Sequence, residues 1–192
     1  MAMLVLILGL VLFLGPHSTR VFAEGWRTAT IARIGEGPWK GIYSAASIVG
    51  FVLLVWGYAH ARGQVPLWGP PPAMGYITVV LMLPVFPMFV AAYVPRNGIR
   101  AKLHHPQLLS VKLWAFAHLL SNGNLADVLL FGGFLVWAAL TFRAARMRDR
   151  AAGKVYPPGT LQATVVCVVV GIAFYAAFLL GLHRWLFGAS PI

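Results

Sequence analysis

The chain has 192 residues, of which 60% are hydrophobic and only 10% charged, and its formal net charge is +11. Soluble domains carry about 25% charged residues, so this composition excludes a soluble enzyme and predicts a polytopic membrane protein. The single cysteine excludes an internal disulfide and a zinc–thiolate centre.

Six apolar segments have about the length that a membrane-crossing helix needs, which is roughly 20 residues. They lie at 2–20, 42–60, 73–94, 107–121, 125–142 and 161–183. The sequence therefore predicts an all-α fold, a single domain over 1–192 built as a bundle of six transmembrane helices. If Val21-Phe22-Ala23 were a signal-peptide cleavage site, five helices would remain. Signal peptides begin with basic residues, and none precedes Arg20, so we expect a retained first helix.

Basic residues cluster in alternate loops of this bundle. All but two of the 15 lysines and arginines follow the first, third or fifth segment or stand at the mouth of the fourth. The exceptions are Arg62 and Arg184. Because basic loops favour the cytoplasmic side, both termini should lie outside. The positive charge is then a topology signal with membrane lipid as its partner, and no nucleic-acid partner is expected.

Prolines, small residues and acids predict further details. Pro84 and Pro87 lie inside the third segment, where proline breaks the hydrogen-bond ladder and kinks a helix. A small-residue stripe in the sixth segment predicts a close helix contact. It consists of Ala173, Ala177 and Gly181. Asp127 suits the start of the fifth helix, whereas Asp149 lies in a run of arginines and is expected to be solvated.

The deepest histidine is His118, about three turns into the fourth segment. An intramembrane histidine usually faces the bundle interior and marks a site. His17 lies three residues inside Arg20 and His118 six inside Lys112, so their depths differ by about 5 Å at about 1.5 Å per residue. Two neutral imidazoles at similar depth could ligate one haem iron from opposite faces. Alternatively, each ring simply binds a backbone carbonyl.

Other histidines offer alternatives. His60 and His183 lie at outer helix ends, where histidines are commonly interfacial, and a haem there would use Arg62 and Arg184. His105 stands at the cytoplasmic mouth of the fourth helix, just before a proline that suits the first helical turn. It is either a substrate-contacting or supporting residue, or only a feature of helix entry.

The chain resembles the NnrU family of bacterial membrane proteins, which is similar to the zeta-carotene isomerase of plants and cyanobacteria. The matching segments are Leu14-Gly15-Pro16-His17-Ser18, His105-Pro106-Gln107-Leu108, Trp114-Ala115-Phe116-Ala117-His118-Leu119-Leu120-Ser121-Asn122-Gly123 and Phe131-Gly132-Gly133-Phe134. The resemblance implies a multi-pass protein of the bacterial inner membrane, with periplasmic termini under the topology above. It also implies an association with denitrification.

The isomerase branch implies haem b, with His17 and His118 as metal ligands and His105 as a further cofactor-binding candidate. The propionates would point to the cytoplasmic side, where Arg20 and Arg100 can pair with them. Any chemistry would be redox-linked, isomerase-like and directed at a hydrophobic substrate. Two positions depart from the pattern: Ala115 replaces a cysteine, and His104 replaces the usual arginine.

Two other functions are open on sequence grounds. One is a non-catalytic membrane factor that supports a respiratory complex. The other is a membrane methyltransferase, because the segment from Gly98 to Pro106 is similar to the box those enzymes carry at a helix mouth. The downstream acidic pair of the methyltransferases is missing here, since only Asp149 stands in that region.

Overall fold

The computed structural model describes residues 1–191, and this part of the chain is helical with no strand, which confirms the all-α prediction. The α-helices are α1 (Ala2–Phe22), α2 (Glu24–Ile34), α3 (Glu36–Ala61), α4 (Ala73–Met82), α5 (Val85–Ala91), α6 (Gly98–Leu103), α7 (Pro106–Ser121), α8 (Leu125–Asp127), α9 (Gly133–Ala151), α10 (Leu161–Ala177) and α11 (His183–Phe187). Two π-helical turns join α8 to α9 and α10 to α11, at Val128–Gly132 and Phe178–Leu182.

Five helices in the described residues are long and apolar enough to cross a membrane. They are Ala2–Phe22, Glu36–Ala61, Ala73–Ala91, Leu125–Ala151 and Leu161–Phe187. The chain is therefore a multi-pass membrane protein by length and composition, but the six predicted spans are not confirmed. The difference is α7, whose 16 residues extend about 24 Å, less than the ~30 Å of a hydrocarbon core.

α7 nevertheless reaches both ends of the bundle, packed against α4, α5 and α9. At its start, His105 bonds Asp149 at the end of α9. At its finish, the Gly123 carbonyl accepts hydrogen bonds from the backbone of Leu67 and Trp68 in the loop after α3. We call the end formed by residues 20–35, 92–105 and 148–160 the basic end, and that formed by 62–72, 122–124 and 184–191 the opposite end.

The proline prediction for the third segment is confirmed. α4 ends at Met82 and α5 begins at Val85, so the helix is interrupted around Pro84. Proline lacks the N–H that would continue the ladder, which explains the break.

Glycines allow α1 and α3 to approach at backbone distance. A methyl group built on Gly9 would overlap the backbone nitrogen of Leu54, and one built on Gly57 would overlap that of Leu6. Membrane helices gain van der Waals contact in this way, because lipid provides no hydrophobic drive for them to associate. The α1–α3 pair continues into a buried cluster with α7 and the helix Leu125–Ala151, which includes Ala115 and Phe131.

The small-residue stripe of the sixth segment was a wrong prediction for packing within the chain. Ala173, Ala177 and Gly181 lie on faces that the described chain leaves largely uncovered. The close contact of α10 is made by Gly171 instead, where an added methyl group would overlap the Pro87 backbone of α5. Spacing alone identified small residues but not the face on which they pack.

We expect Gly57→Ala to lower the free energy of unfolding by about 1–3 kcal/mol, because the new methyl group must push the α1 backbone away. Gly41→Ala is the matched control on the same helix, since nothing lies within 4 Å of its added methyl group. Thermal unfolding in detergent measures both. If Gly57→Ala is no less stable than Gly41→Ala, the close contact with α1 does not determine the result.

Candidate functional site

His118 lies in the half of α7 nearer the opposite end, with its ring stacked on Phe131 at a centroid distance of 4.8 Å. Its Nδ1 is 2.9 Å from the carbonyl oxygen of Trp114, one turn earlier. A carbonyl oxygen can only accept, so Nδ1 carries the proton and donates. In the neutral ring Nε2 then keeps its lone pair, which is the form that ligates metals.

The ring of His183, on α11, lies near the ring of His118, on α7. The two ring centroids are 6.4 Å apart and the planes are inclined by 24°. His183 Nδ1 donates to the Ala189 carbonyl at 2.7 Å, so its Nε2 also keeps the lone pair when the ring is neutral. The structure therefore brings together His118, from the predicted pair with His17, and His183, from the alternative pair with His60.

Both π-helical turns flank this histidine pair. Phe131, which stacks on His118, lies in the turn Val128–Gly132, and His183 directly follows the turn Phe178–Leu182. Such turns are rare and are found frequently at functional sites. Their coincidence around one pair of side chains marks this region as the leading candidate site.

A buried carboxylate network holds the first of these turns in place. Asp127 is 0% exposed and accepts hydrogen bonds from the Tyr58 hydroxyl at 2.7 Å and the Asn124 backbone N–H at 2.9 Å. The Asp127 side chain and Asn124 form a capping box, which confirms the predicted place of Asp127 at a helix start. Tyr58 in turn packs edge-on against Phe131. The network thereby holds the ring that supports His118.

His17 lies elsewhere, and the structure does not bring it to His118. Its Nδ1 donates to the Phe13 carbonyl at 2.6 Å, and its ring packs near Trp137. Between the two histidines stands Phe134, which contacts the rings of both Phe13 and Trp114. His17 is level with Trp137 and His118 with Phe131, a separation of about 9 Å along one helix.

A porphyrin standing between α1 and α7 would thus have to displace Phe134. Ligation by His17 and His118 together stays a prediction that this arrangement does not favour. His60 is remote as well: it is exposed, stacked on Trp56 and bonded through Nδ1 to the Trp56 carbonyl at 2.8 Å.

The predicted arginines lie at the basic end. Arg20 forms an ion pair of 3.5 Å with Glu24, and its carbonyl accepts a hydrogen bond from Arg148. The Arg100 guanidinium donates to the Ala92 carbonyl at 3.3 Å. Neither arginine is close to the His118–His183 pair, so their propionate-binding role also stays a prediction.

A second polar cluster ties the basic end together. His105 Nε2 lies 2.7 Å from Asp149 Oδ2, and the Tyr156 hydroxyl donates to the same oxygen at 2.5 Å. Lys154 Nζ lies 3.5 Å from Asp149 Oδ1. The expectation of a solvated Asp149 was wrong, because its side chain is only 13% exposed. Burial, then the hydrogen bond to Asp149, raises the pKa of Tyr156, which keeps the hydroxyl protonated as a donor.

Tyr156 lies in the loop between α9 and α10, and no sequence pattern pointed to it. Its ring stacks on His104 with centroids 4.1 Å apart and planes 4° apart. His104 has φ +66°, a left-handed conformation that non-glycine residues rarely adopt. The cluster thus holds the loop against the start of α7. Holding this loop is a structural role for the histidine–proline segment.

An apolar groove of about 460 Å³ runs along α7, lined by Met88, Leu103, Leu109, Lys112, Leu113, Phe116 and Leu135. One face of α7 lines this groove through Leu109, Leu113 and Phe116, which recur at helical spacing. His118 lies about 190° around the helix from the middle of that face, which is the opposite side of α7. The groove therefore does not lead to the histidine pair.

Among residues 1–191, no group of three or more histidine, cysteine or acidic side chains is arranged to hold a metal ion. Two facing imidazoles are a different kind of site, which suits a metal whose other ligands come from a macrocycle.

The family model described as "NnrU protein" matches residues 5–191, nearly the whole chain. The chain belongs to the NnrU family. This confirms the resemblance drawn from the three histidine-containing segments. No curated protein and no solved structure matches the sequence. For this family member the side-chain geometry is therefore the main guide to the site.

We expect Tyr156→Phe to lower the free energy of unfolding by about 1.5–3 kcal/mol, because it removes a hydrogen bond to a charged and largely buried carboxylate. Tyr76→Phe is the matched control, since Tyr76 is 67% exposed. Thermal unfolding in detergent measures the stability, and limited proteolysis between 152 and 160 measures loosening of the loop. If both variants behave like the unsubstituted protein, the cluster does not hold the loop.

Proposed function

We propose that this NnrU family member is a haem-b-binding protein of the bacterial inner membrane, with six membrane crossings and both termini in the periplasm. The observation that carries the haem assignment is the pair of facing imidazoles, His118 and His183, whose Nδ1 atoms are both occupied by backbone carbonyls. Each ring therefore keeps Nε2 as its remaining nitrogen, and these two atoms would hold the iron of a bound haem.

The surroundings of His118 suit a flat apolar cofactor. Its ring lies among Trp114 and Phe131, and Tyr58 adds a further aromatic ring behind Phe131. Aromatic and aliphatic walls exclude water and set the polarity around a haem. When bound, haem supplies a metal centre for one-electron or Lewis-acid chemistry, while the chain supplies ligands, orientation and a dry surrounding.

The path of α7 supports six crossings. The contacts of its two ends lie at the two ends of the bundle. The first and last described segments of the chain both lie at the opposite end. There the Gly75 position approaches the Pro191 carbonyl, while Gly57 near the end of α3 packs on the start of α1. With the basic loops on the cytoplasmic side, this arrangement gives periplasmic termini.

The family resemblance leads us to propose redox-linked, isomerase-like chemistry on a hydrophobic substrate, within denitrifying metabolism. The exposed apolar surface of the bundle supports a lipid-dissolved substrate. The candidate site places two imidazoles among aromatic rings, and we assign the reactive centre to the cofactor that they would hold.

Visible absorption of protein purified in detergent, after expression with a haem precursor, tests the assignment. We expect a Soret band and about one haem per chain in the unsubstituted protein. His118→Ala should lose most of the haem because one axial bond is removed. His60→Ala is the matched control: its ring makes the same Nδ1 bond but is exposed, and haem should be retained.

A protein without porphyrin under these conditions would refute the proposed cofactor. Full haem retention in His118→Ala would show that the cofactor binds at another place. Circular dichroism of each variant separates loss of haem from loss of fold.

Reporter fusions test the topology. We expect a reporter that works only in the cytoplasm to be active after Gly35 and after Gly153 and inactive at the C-terminus, because positively charged loops stay inside. The segments between Gly35 and Gly153 include α7, so these two positions share a side only if α7 crosses the membrane. Opposite results at Gly35 and Gly153 would leave α7 outside the set of spans.

A further inference from the structure

We infer that His118 and His183 are the two axial ligands of the cofactor, and that Arg62 and Arg184 bind its carboxylates at the opposite end of the bundle. The inference rests on the proposed haem function and replaces the predicted partner His17 by His183. It also moves the cofactor carboxylates from the basic end to the end that holds both chain termini.

The first support is the separation of the rings. Two imidazoles bound to one metal, with metal–nitrogen bonds of about 2.0 Å, have ring centres about 6 Å apart. The observed distance between the centroids of His118 and His183 is 6.4 Å. Rings that pack without a metal cover the same range, as Phe86 and Tyr175 do at 6.4 Å, so the spacing of His118 and His183 permits two ligands of one metal.

The second support is the separation of the backbones of the two helices. Within residues 1–191, the backbones of α7 and α11 do not pack closely, although α7 packs closely with α4, α5 and α9. The turn at Phe178–Leu182 contains Gly181 with non-helical backbone angles, so α11 departs from the line of α10. This departure directs His183 towards α7 instead of along the face of α10.

The third support is the placement of charge. Arg62 and Arg184 are the two lysine or arginine residues that lie at the opposite end of the bundle. Arg184 follows His183 directly, and the Arg62 guanidinium donates to the Phe187 carbonyl of the same short helix at 3.4 Å. Haem b carries two carboxylates, which arginine binds well through paired hydrogen bonds. Both exceptions to the charge pattern therefore lie at the end of the bundle that carries His183.

The rival pair has no comparable support. Phe134 stands between His17 and His118, and the two rings differ in depth by about 9 Å. The indole N–H of Trp137 beside His17 is buried without a partner in the described chain. An N–H is a donor, so Trp137 cannot provide a second ligand to a metal at His17.

The experiment compares His183→Ala with His17→Ala, each purified after expression with a haem precursor. Electron paramagnetic resonance of the ferric protein reports the axial ligands, and pyridine haemochrome analysis reports the haem per chain. We expect a low-spin signal from the unsubstituted protein and from His17→Ala. In His183→Ala the low-spin signal should be lost, and added imidazole should restore it by filling the vacated position.

The arginines are tested by Arg184→Gln and Arg62→Gln, with Arg100→Gln as a matched control at the basic end. We expect each of the first two to weaken haem binding by about tenfold, the effect of one lost charged hydrogen bond. Haem transfer to apomyoglobin measures the release. Arg100→Gln should release haem at the unsubstituted rate.

The outcomes separate the two proposals. Absence of porphyrin in the unsubstituted protein would refute the haem function and this inference with it. A haem-loaded protein whose low-spin signal is lost in His17→Ala and kept in His183→Ala would refute the ligand pair alone. If His183→Ala is poorly folded, failure of imidazole to restore the signal in a folded His183→Gly variant would count against the pair.

Discussion

Hydrocarbon offers no hydrogen-bond partner, so a polar group inside the membrane is stabilised when it finds one within the chain. Four of the six histidines meet that constraint in a uniform way. His17, His60 and His118 each donate through Nδ1 to the carbonyl one turn earlier on their own helix. His183 reaches the same result through the loop carbonyl of Ala189. Because Nδ1 of each ring is bonded to a carbonyl, Nε2 stays free to bind a metal. The proposed chemistry depends on this difference between the two ring nitrogens.

The rest of the fold keeps these rings in place. Glycine contacts bring α1 against α3, the Asp127 network holds the start of the helix Leu125–Ala151, and Phe131 from that helix supports His118. At the other end, Asp149 contacts the side chains of His105, Tyr156 and Lys154 and joins them in one polar cluster. The two polar networks thus stand at opposite ends of a largely apolar bundle and set the relative heights of the helices between them.

The sequence was sufficient for the helical class, the apolar segments and the family, because composition and local motifs carry those signals. It was insufficient to predict which side chains contact one another. His183 was placed with His60 on the basis of depth, but a π-helical turn and a break at Gly181 redirect it towards α7. Depth counted along straight helices could not foresee that Phe134 separates His17 from His118. Asp149 was expected to be solvated since its neighbours are arginines, whereas its partners come from distant positions.

The π-helical turns have a consequence for how such a protein can vary. Each turn holds one residue more than an α-helix would need over the same rise, so it acts as an insertion that has been absorbed into the helix. Removing one residue from Val128–Gly132 would restore a regular helix and rotate α8 by about 100° relative to α9. Single-residue insertions and deletions can therefore re-aim the aromatic wall beside His118 while every loop keeps its length, a route to new pocket shapes that point substitutions do not provide.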